Sequence, residues 1–392
     1  MRIAIINGNI ITYNGIIKNG YVLIEDGIII KIGENVHDEE IDIIINCNDL
    51  YVAPGFIDLH VHGGGGYDFM DETPEAFEMI ACTHLKYGTT TLMPTTLTGS
   101  KEQILNILRC YKDFKKSNFR KVTFLGLHLE GPYFAMEQRG AQNPKYIRNP
   151  DIKEIENILL FEEYIKRWSI APELPGALML GKLLSEKKII AAIAHTNALY
   201  DDVVLAFKNG YNLITHLYSA MNGVVRKKAY RYAGTIEAAF LNENLYVEII
   251  ADGKHLPAPL LQLVYKIKGP DKIALITDAM RAAGTEVTKS ILGRLDDGVE
   301  VIIEDGVAKL PDRTSFAGSV ATTNLLVKTM WKDAGIDLVD VIKMMSTTPA
   351  KIAGIDHEVG SIALNKKADL VIFDLEVNIK KVLKNGIVLE DN

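Results

Sequence analysis

The residues best suited to chemistry in this 392-residue chain are histidines and carboxylates that close short apolar runs. His60 and His62 stand one residue apart in GFIDLHVHGGGG, and in a strand residues i and i+2 project to the same face. Both imidazoles therefore point the same way. Four more groups end comparable runs: Glu130 after TFLGLHL, His195 after IIAAIA, His216 after NLIT and Asp278 after KIALIT. Imidazole and carboxylate are the ligands of zinc and ferrous iron, and a catalytic ion keeps one coordination position open for water. A lone histidine at a strand end is commonly a hydrogen-bonded structural residue. His60, His62, Glu130, His195 and His216 on four strand ends of one sheet point instead to a shared metal centre. Asp278 has two readings, a proton acceptor that later returns the proton to a leaving group, or a ligand or orienter of the histidine pair.

These groups share a site only if the elements that carry them converge. The runs GFIDLH, TTLMPT, VTFLGLHLE, WSIAPE, IIAAIAH, NLITH, YVEIIAD and KIALITD alternate with stretches of helical periodicity, which predicts repeated βα units and a parallel sheet. Eight such units predict an α/β chain built on a TIM-like (β/α)8 barrel, with its active site at the carboxyl ends of the strands. This barrel domain is expected over residues 54–359. Short β-rich runs with turn signals fill residues 1–53 and return over 360–392, so the two ends are expected to form one small sheet domain. The hydrophilic segment EQRGAQNPKYIRNPDIKEIEN is expected to lie over the barrel mouth. Gly63 to Gly66 let the chain turn sharply out of the first strand and match neither a dinucleotide nor a P-loop fingerprint.

Composition narrows the function classes. With 43 basic and 50 acidic residues the net charge is -7, so no basic surface is offered to nucleic acid or to an anionic membrane. The start, MRIAIINGNIITYNG, reads as strand, turn and strand rather than a signal peptide, and no apolar run spans a bilayer. A cytoplasmic protein is expected. Cys47, Cys82 and Cys110 are too scattered for a disulfide framework or a C-x-x-C site and are read as reduced.

Together the motifs PGFIDLHVHG, GLHLEGPY, AHT, THLYSAM, ADGKH and LITDAM resemble the N-acetylglucosamine-6-phosphate deacetylases of the amidohydrolase superfamily, from one end of the chain almost to the other. The resemblance implies a barrel with a β-sandwich made from both termini, and a homodimer. It implies one or two divalent ions per subunit, zinc or iron, with Glu130, His195 and His216 as the main ligands and His60 and His62 as a second position. Asp278 would be the catalytic acid and base. His255 would meet the phosphate of an amino sugar phosphate, Gln142 would help hold its carbonyl, and Ser219 and Ala220 would occupy the phosphate-binding turn.

The chain departs from that family where the phosphate binds. Ser219 stands where many members have Asn, and the R-E-P-G segment is replaced within YSAMNGVVRKKAYRYAG. Arg226 and Arg231 are the expected phosphate cations there, with Lys227 and Lys228 beside them. Two other enzyme readings keep the barrel: an amidohydrolase for another N-acylated amino sugar, and a cyclic amidohydrolase or deaminase. The latter commonly bridges two metals with a modified Lys on the fourth strand, where WSIAPE offers only Glu173. A non-catalytic scaffold predicts a lost ligand, and none is missing.

Overall fold

Ile-rich runs at both ends of the chain pair into one sheet, as the sequence predicts. The computed structural model describes residues 1–34 and 40–389. Residues 390–391, the end of the expected carboxyl-terminal β segment, lie outside the described residues. The sheet order is Ile387–Leu389, Ile379–Lys384, Leu370–Phe373, Tyr51–Pro54, Arg2–Thr12, Gly15–Glu25 and Ile28–Gly33, and Ile43–Asn46 also pairs with Arg2–Thr12. Two hairpins in it turn on Asp26–Gly27 and Asn385–Gly386, whose four residues all have positive φ. That is the backbone a two-residue turn of matching twist demands, and it explains the D-G and N-G text. Ile3, Ile5, Val22, Ile24, Leu370 and Ile372 form part of the sheet's own core.

Eight parallel strands follow the first segment: β1 (Phe56–Val61), β2 (Thr89–Pro94), β3 (Leu127–Glu130), β4 (Ile165–Ile170), β5 (Ile190–Ile193), β6 (Tyr211–Ile214), β7 (Tyr246–Ile250) and β8 (Ile273–Ile276). β3 to β8 are consecutive neighbours in one sheet, while β1 pairs with β2 in another. Parallel bridges between Thr95 and His128 and between Val61 and Ala279 join the two sheets at both edges. The sheet is thus strongly curled. Strands buried on both faces read as continuous apolar runs, which is why IAAI and IALI were legible.

Helices return the chain between strands, among them α1 (Pro74–Leu85), α2 (Lys101–Phe114) and α3 (Ile152–Leu159). Each starts where a side chain satisfies a free amide. Thr73 accepts from the Ala76 N–H and Asp151 from the Glu154 N–H, while Ser100 and Gln103 cap one another reciprocally.

Two features differ from expectation. β4 starts at Ile165, three residues before the predicted WSIAPE, because Lys166 and Arg167 interrupt the apolar run. After β8 the chain forms an antiparallel three-stranded sheet, Lys289–Leu292, Val299–Glu304 and Val307–Lys309, before returning to helix at Thr323–Lys328. Asp305–Gly306 turns it with both residues at positive φ, and VEVIIEDGVAK has the β-branched density of a hairpin. The three cysteines are unpaired, as expected.

The terminal sheet is fastened at Asp369 to the chain entering β1. Its carboxylate takes a hydrogen bond from the buried Lys384 ammonium and another from the Asn385 N–H at 2.9 Å, and its carbonyl accepts from the Gly55 N–H at 2.8 Å. Replacing Lys384 with Met leaves a buried carboxylate without its counter-charge and is expected to cost about 3–5 kcal/mol in urea unfolding. Lys384→Met with Asp369→Leu should recover most of that loss, and a double variant as unstable as the single one would show that the pair is not what matters.

Candidate metal and substrate site

His60 lies inside β1 and His62 one residue beyond it, so the i, i+2 spacing places both rings on one face. Their Nε2 atoms are 3.1 Å apart. Glu130 is the last residue of β3. His195, His216 and Asp278 each stand two residues past the end of β5, β6 and β8, with φ of +45°, +30° and +51°. Left-handed backbone is strained for such residues and persists where neighbours hold it, commonly at functional sites. Here the Asp278 carbonyl accepts from the Ser319 N–H at 2.7 Å, and the His195 carbonyl from the Ala135 N–H at 2.9 Å.

The glycines after His62 serve close approach. A Cβ on Gly63 would lie 2.3 Å from the Tyr67 carbonyl oxygen and 2.8 Å from the Arg281 nitrogen, so only glycine lets these loops meet. Gly65 has φ of +62° and turns the chain back.

The six groups converge around Glu130. Its Oε1 lies 3.1 Å from His216 Nε2, 3.3 Å from His60 Nε2 and 3.5 Å from His195 Nε2, and its Oε2 lies 3.4 Å from His62 Nε2. Asp278 Oδ1 is 3.3 Å from His60 Nε2 and 3.1 Å from His62 Nε2. None of the six exceeds 8% exposure. Two sets, His60/His62/Glu130 and Glu130/His195/His216, bring one donor atom per residue within 4.8 Å of each other, which fits two ions sharing Glu130. The Nδ1 atoms of His60, His62 and His216 are buried without a hydrogen-bond partner, so these rings are aimed by their Nε2 side.

Electrostatics match that crowding. Burial alone would raise the Asp278 carboxyl, but His60 and His62 beside it bring it down to about 2. Burial likewise opposes ionisation of Glu130, and the surrounding imidazoles hold it well below the usual carboxylate range. His62 shows the reciprocal effect: burial lowers it, while the hydrogen bond to Asp278 and the charge of Glu130 lift it to about 9.

A cavity of about 710 Å³ opens over the cluster, lined by His62, Glu130, His195, His216 and Asp278. The segment expected over the mouth does lie there, contributing Glu137 to Gln142. Gln142 donates to Glu130 Oε2 at 2.6 Å and accepts from the Thr98 N–H at 2.8 Å, so its amide is fixed against the cluster. His255 lines the cavity, its Nδ1 2.7 Å from Asp252 Oδ2 and its ring against Phe316. Ser219 and Ala220 line it too, on a turn where Tyr218 and Ala220 have φ of +78° and +51°.

Arg226 and Arg231 are not brought to this cavity. They sit opposite one another on an exposed hairpin, Val225–Lys227 against Tyr230–Tyr232. The cationic side chains that do line the cavity are Arg139, Lys309 and Arg313. Glu173 also stands apart from the cluster and accepts from Thr196 Oγ1 at 2.5 Å and the Asn197 N–H at 2.6 Å. Sequence reasoning missed a buried polar layer beneath the histidines, made of Asp58, His128, Arg167 and Glu248. Polar residues inside the apolar runs, Asp58 in GFIDLH, His128 in VTFLGLHLE and Glu248 in YVEIIAD, were its visible signs.

The amidohydrolase family profile matches residues 51–389. The N-acetylglucosamine-6-phosphate deacetylase of Bacillus subtilis (strain 168) is 33% identical over 390 residues, covering 96% of this chain and 94% of the relative. The N-acetylgalactosamine-6-phosphate deacetylase of Escherichia coli O157:H7 is 28% identical over 379 residues, 96% of each. The crystal structure of N-acetylglucosamine-6-phosphate deacetylase from Pasteurella multocida superposes with a TM-score of 0.91 at 28% identity, covering 98% of this chain and 99% of that one. With histidines and carboxylates gathered at the strand ends and a profile match over residues 51–389, this chain belongs to the amidohydrolase family.

Proposed function

We propose that the chain hydrolyses the acetamide of N-acetylglucosamine 6-phosphate, giving acetate and glucosamine 6-phosphate. The observation that carries this reading is the convergence of Glu130, His60, His62, His195, His216 and Asp278 beneath a cavity that Ser219, Ala220 and His255 also line. The deacetylases to which the chain is similar over nearly its full length support the same substrate.

Glu130, His195 and His216 would hold one divalent ion and His60 and His62 a second, with Glu130 shared; zinc or iron suits such donors. An ion held there would supply Lewis-acid polarisation of a carbonyl and lower the pKa of a water toward neutrality. Asp278, ionised across the physiological range, takes the proton of the attacking water and delivers it to the departing amine. Gln142, pinned to Glu130, aligns the acetamide, and His255 with the Ser219–Ala220 turn receives the phosphate. A cavity of this size suits one sugar phosphate.

The architecture follows the same reading. The curled sheet is taken to close as a (β/α)8 barrel over residues 54–359, supported by the bridges at both edges. The terminal sheet is taken as a β-sandwich domain of residues 1–53 and 360–392, its long first strand broken in register around Gly8. Because Arg226 and Arg231 sit on an exposed hairpin and do not line their own cavity, a homodimer would carry that hairpin to the partner's site. No helix among the described residues is long and apolar enough to cross a membrane, and a cytoplasmic setting suits this metabolic substrate.

Zinc-loaded protein should release acetate from N-acetylglucosamine 6-phosphate, and Asp278→Asn should lower kcat by about 10²–10⁴-fold while still binding metal. Parallel assays with the unphosphorylated sugar and the galactosamine epimer test the substrate. Release from neither phosphorylated sugar would reject the reading, and preference for the epimer would correct it.

Metal uptake should depend on pH in a calculable sense. In the metal-free protein His62 keeps its proton up to about pH 9, and that proton must leave before Nε2 can ligate. Glu130 and Asp278 stay ionised throughout, so they do not offset it. Zinc affinity should rise from neutral pH toward about 9 with proton release, measured by titration calorimetry in buffers of different ionisation enthalpy. A flat profile without proton release would contradict this.

A further inference from the structure

Beneath the six-residue cluster lies an ion pair the proposed reaction does not use. Arg167 on β4 and Glu248 on β7 are both fully buried and joined through both guanidinium nitrogens, Nη1 to Oε1 and Nη2 to Oε2. A pair so placed bears a large desolvation cost, and apolar residues of equal volume commonly serve stability as well. Its position suggests what it does. Glu248 Oε2 is 3.9 Å from Nδ1 of His60, the nitrogen that has no hydrogen-bond partner. Arg167 also donates to Thr215 Oγ1 at 2.6 Å, beside His216, and approaches the Leu59 carbonyl at 3.4 Å, beside His60. Ser169 continues the network, 3.0 Å from Thr215 Oγ1 and 2.7 Å from His128 Nε2.

We propose that Arg167 and Glu248 are positioning residues for metal ligation: Glu248 holds His60 as the Nδ1–H tautomer, leaving its Nε2 lone pair free for an ion, and Arg167 fixes Glu248 in place. A neutral imidazole carries one ring proton, and a carboxylate facing Nδ1 draws the proton to that side. Nε2 then faces Glu130, Asp278 and His62 as a pure donor. Arg167 sits in the tightest place for this task, because one planar fork engages Glu248 and Thr215 from a single strand. The inference rests on the metal reading of the cluster and extends it to residues that touch no ion.

The test is zinc binding to the metal-stripped, full-length chain, followed by competition with a chelator. Wild type should take up two equivalents. Glu248→Gln, whose amide can present N–H to His60 and favour the wrong tautomer, should weaken one equivalent by about 10–100-fold and leave the other unchanged. A folded variant that binds both equivalents as wild type does would overturn the proposal while leaving the metal reading intact; wild type that binds no zinc would overturn both. Should Glu248→Gln not fold, Arg167→Gln with Glu248→Gln removes both charges together and is expected to show the same selective loss. In the metal-free wild type, nitrogen NMR of labelled histidine should find His60 protonated at Nδ1. Protonation at Nε2 would overturn the proposal whatever the variants do.

Discussion

Everything at the mouth of the sheet is organised around one buried carboxylate. Glu130 is 2% exposed and touches four imidazoles from three other strands, so its charge is stabilised only while those strands end at the same level. Burying an ion without partners costs several kcal/mol, so this constraint runs backward into the whole architecture. The strands must be parallel, the sheet must curl, and each clustered side chain must stand at or just past a carboxyl end. Parallel βα units meet all three conditions, which is why the chemistry sits on loops above an apolar wall.

The sharp turns at His195, His216 and Asp278 are part of the same solution. A strand that simply continued would carry its next side chain out along the strand axis, away from the centre. A left-handed residue two positions after the strand redirects the side chain inward, and backbone hydrogen bonds from neighbouring loops hold it there. The polar layer of His128, Arg167, Glu248 and Asp58 supports the histidines from below. The site is therefore positioned from both sides, by strained loops above and a hydrogen-bonded interior beneath.

Much of this was legible in the chain because its signals are local. Apolar runs closed by His, Glu or Asp identified seven of the eight strands, and one closed by Thr the other; the six clustered residues stood at or just past their ends, and D-G and N-G marked hairpins. What was missed depends on contacts between distant segments. Arg167 looked like the end of a polar stretch, since nothing nearby in sequence tells that Glu248 lies across from it. The sheet after β8 was overlooked because eight regular βα units predict a helix there, although VIIEDGVAK spells a hairpin. Arg226 and Arg231 were legible as a basic cluster, but that they pair across an exposed hairpin rather than line the cavity depends on how the chain folds, which residue type does not mark.

The terminal sheet has a consequence for the order in which the molecule can be made. Tyr51–Pro54 lies between Arg2–Thr12, synthesised before the central segment, and Leu370–Phe373, synthesised after it, with Asp369 and Lys384 locking the seam. On the ribosome the early strands must wait, one edge unpaired, while the entire central domain emerges and folds. The unpaired edge of Tyr51–Pro54 invites association with other chains during that wait. The seam thus makes Leu370–Phe373 and the strands that follow it a closing clasp, and a chain cut short before Leu370 would leave that edge permanently open.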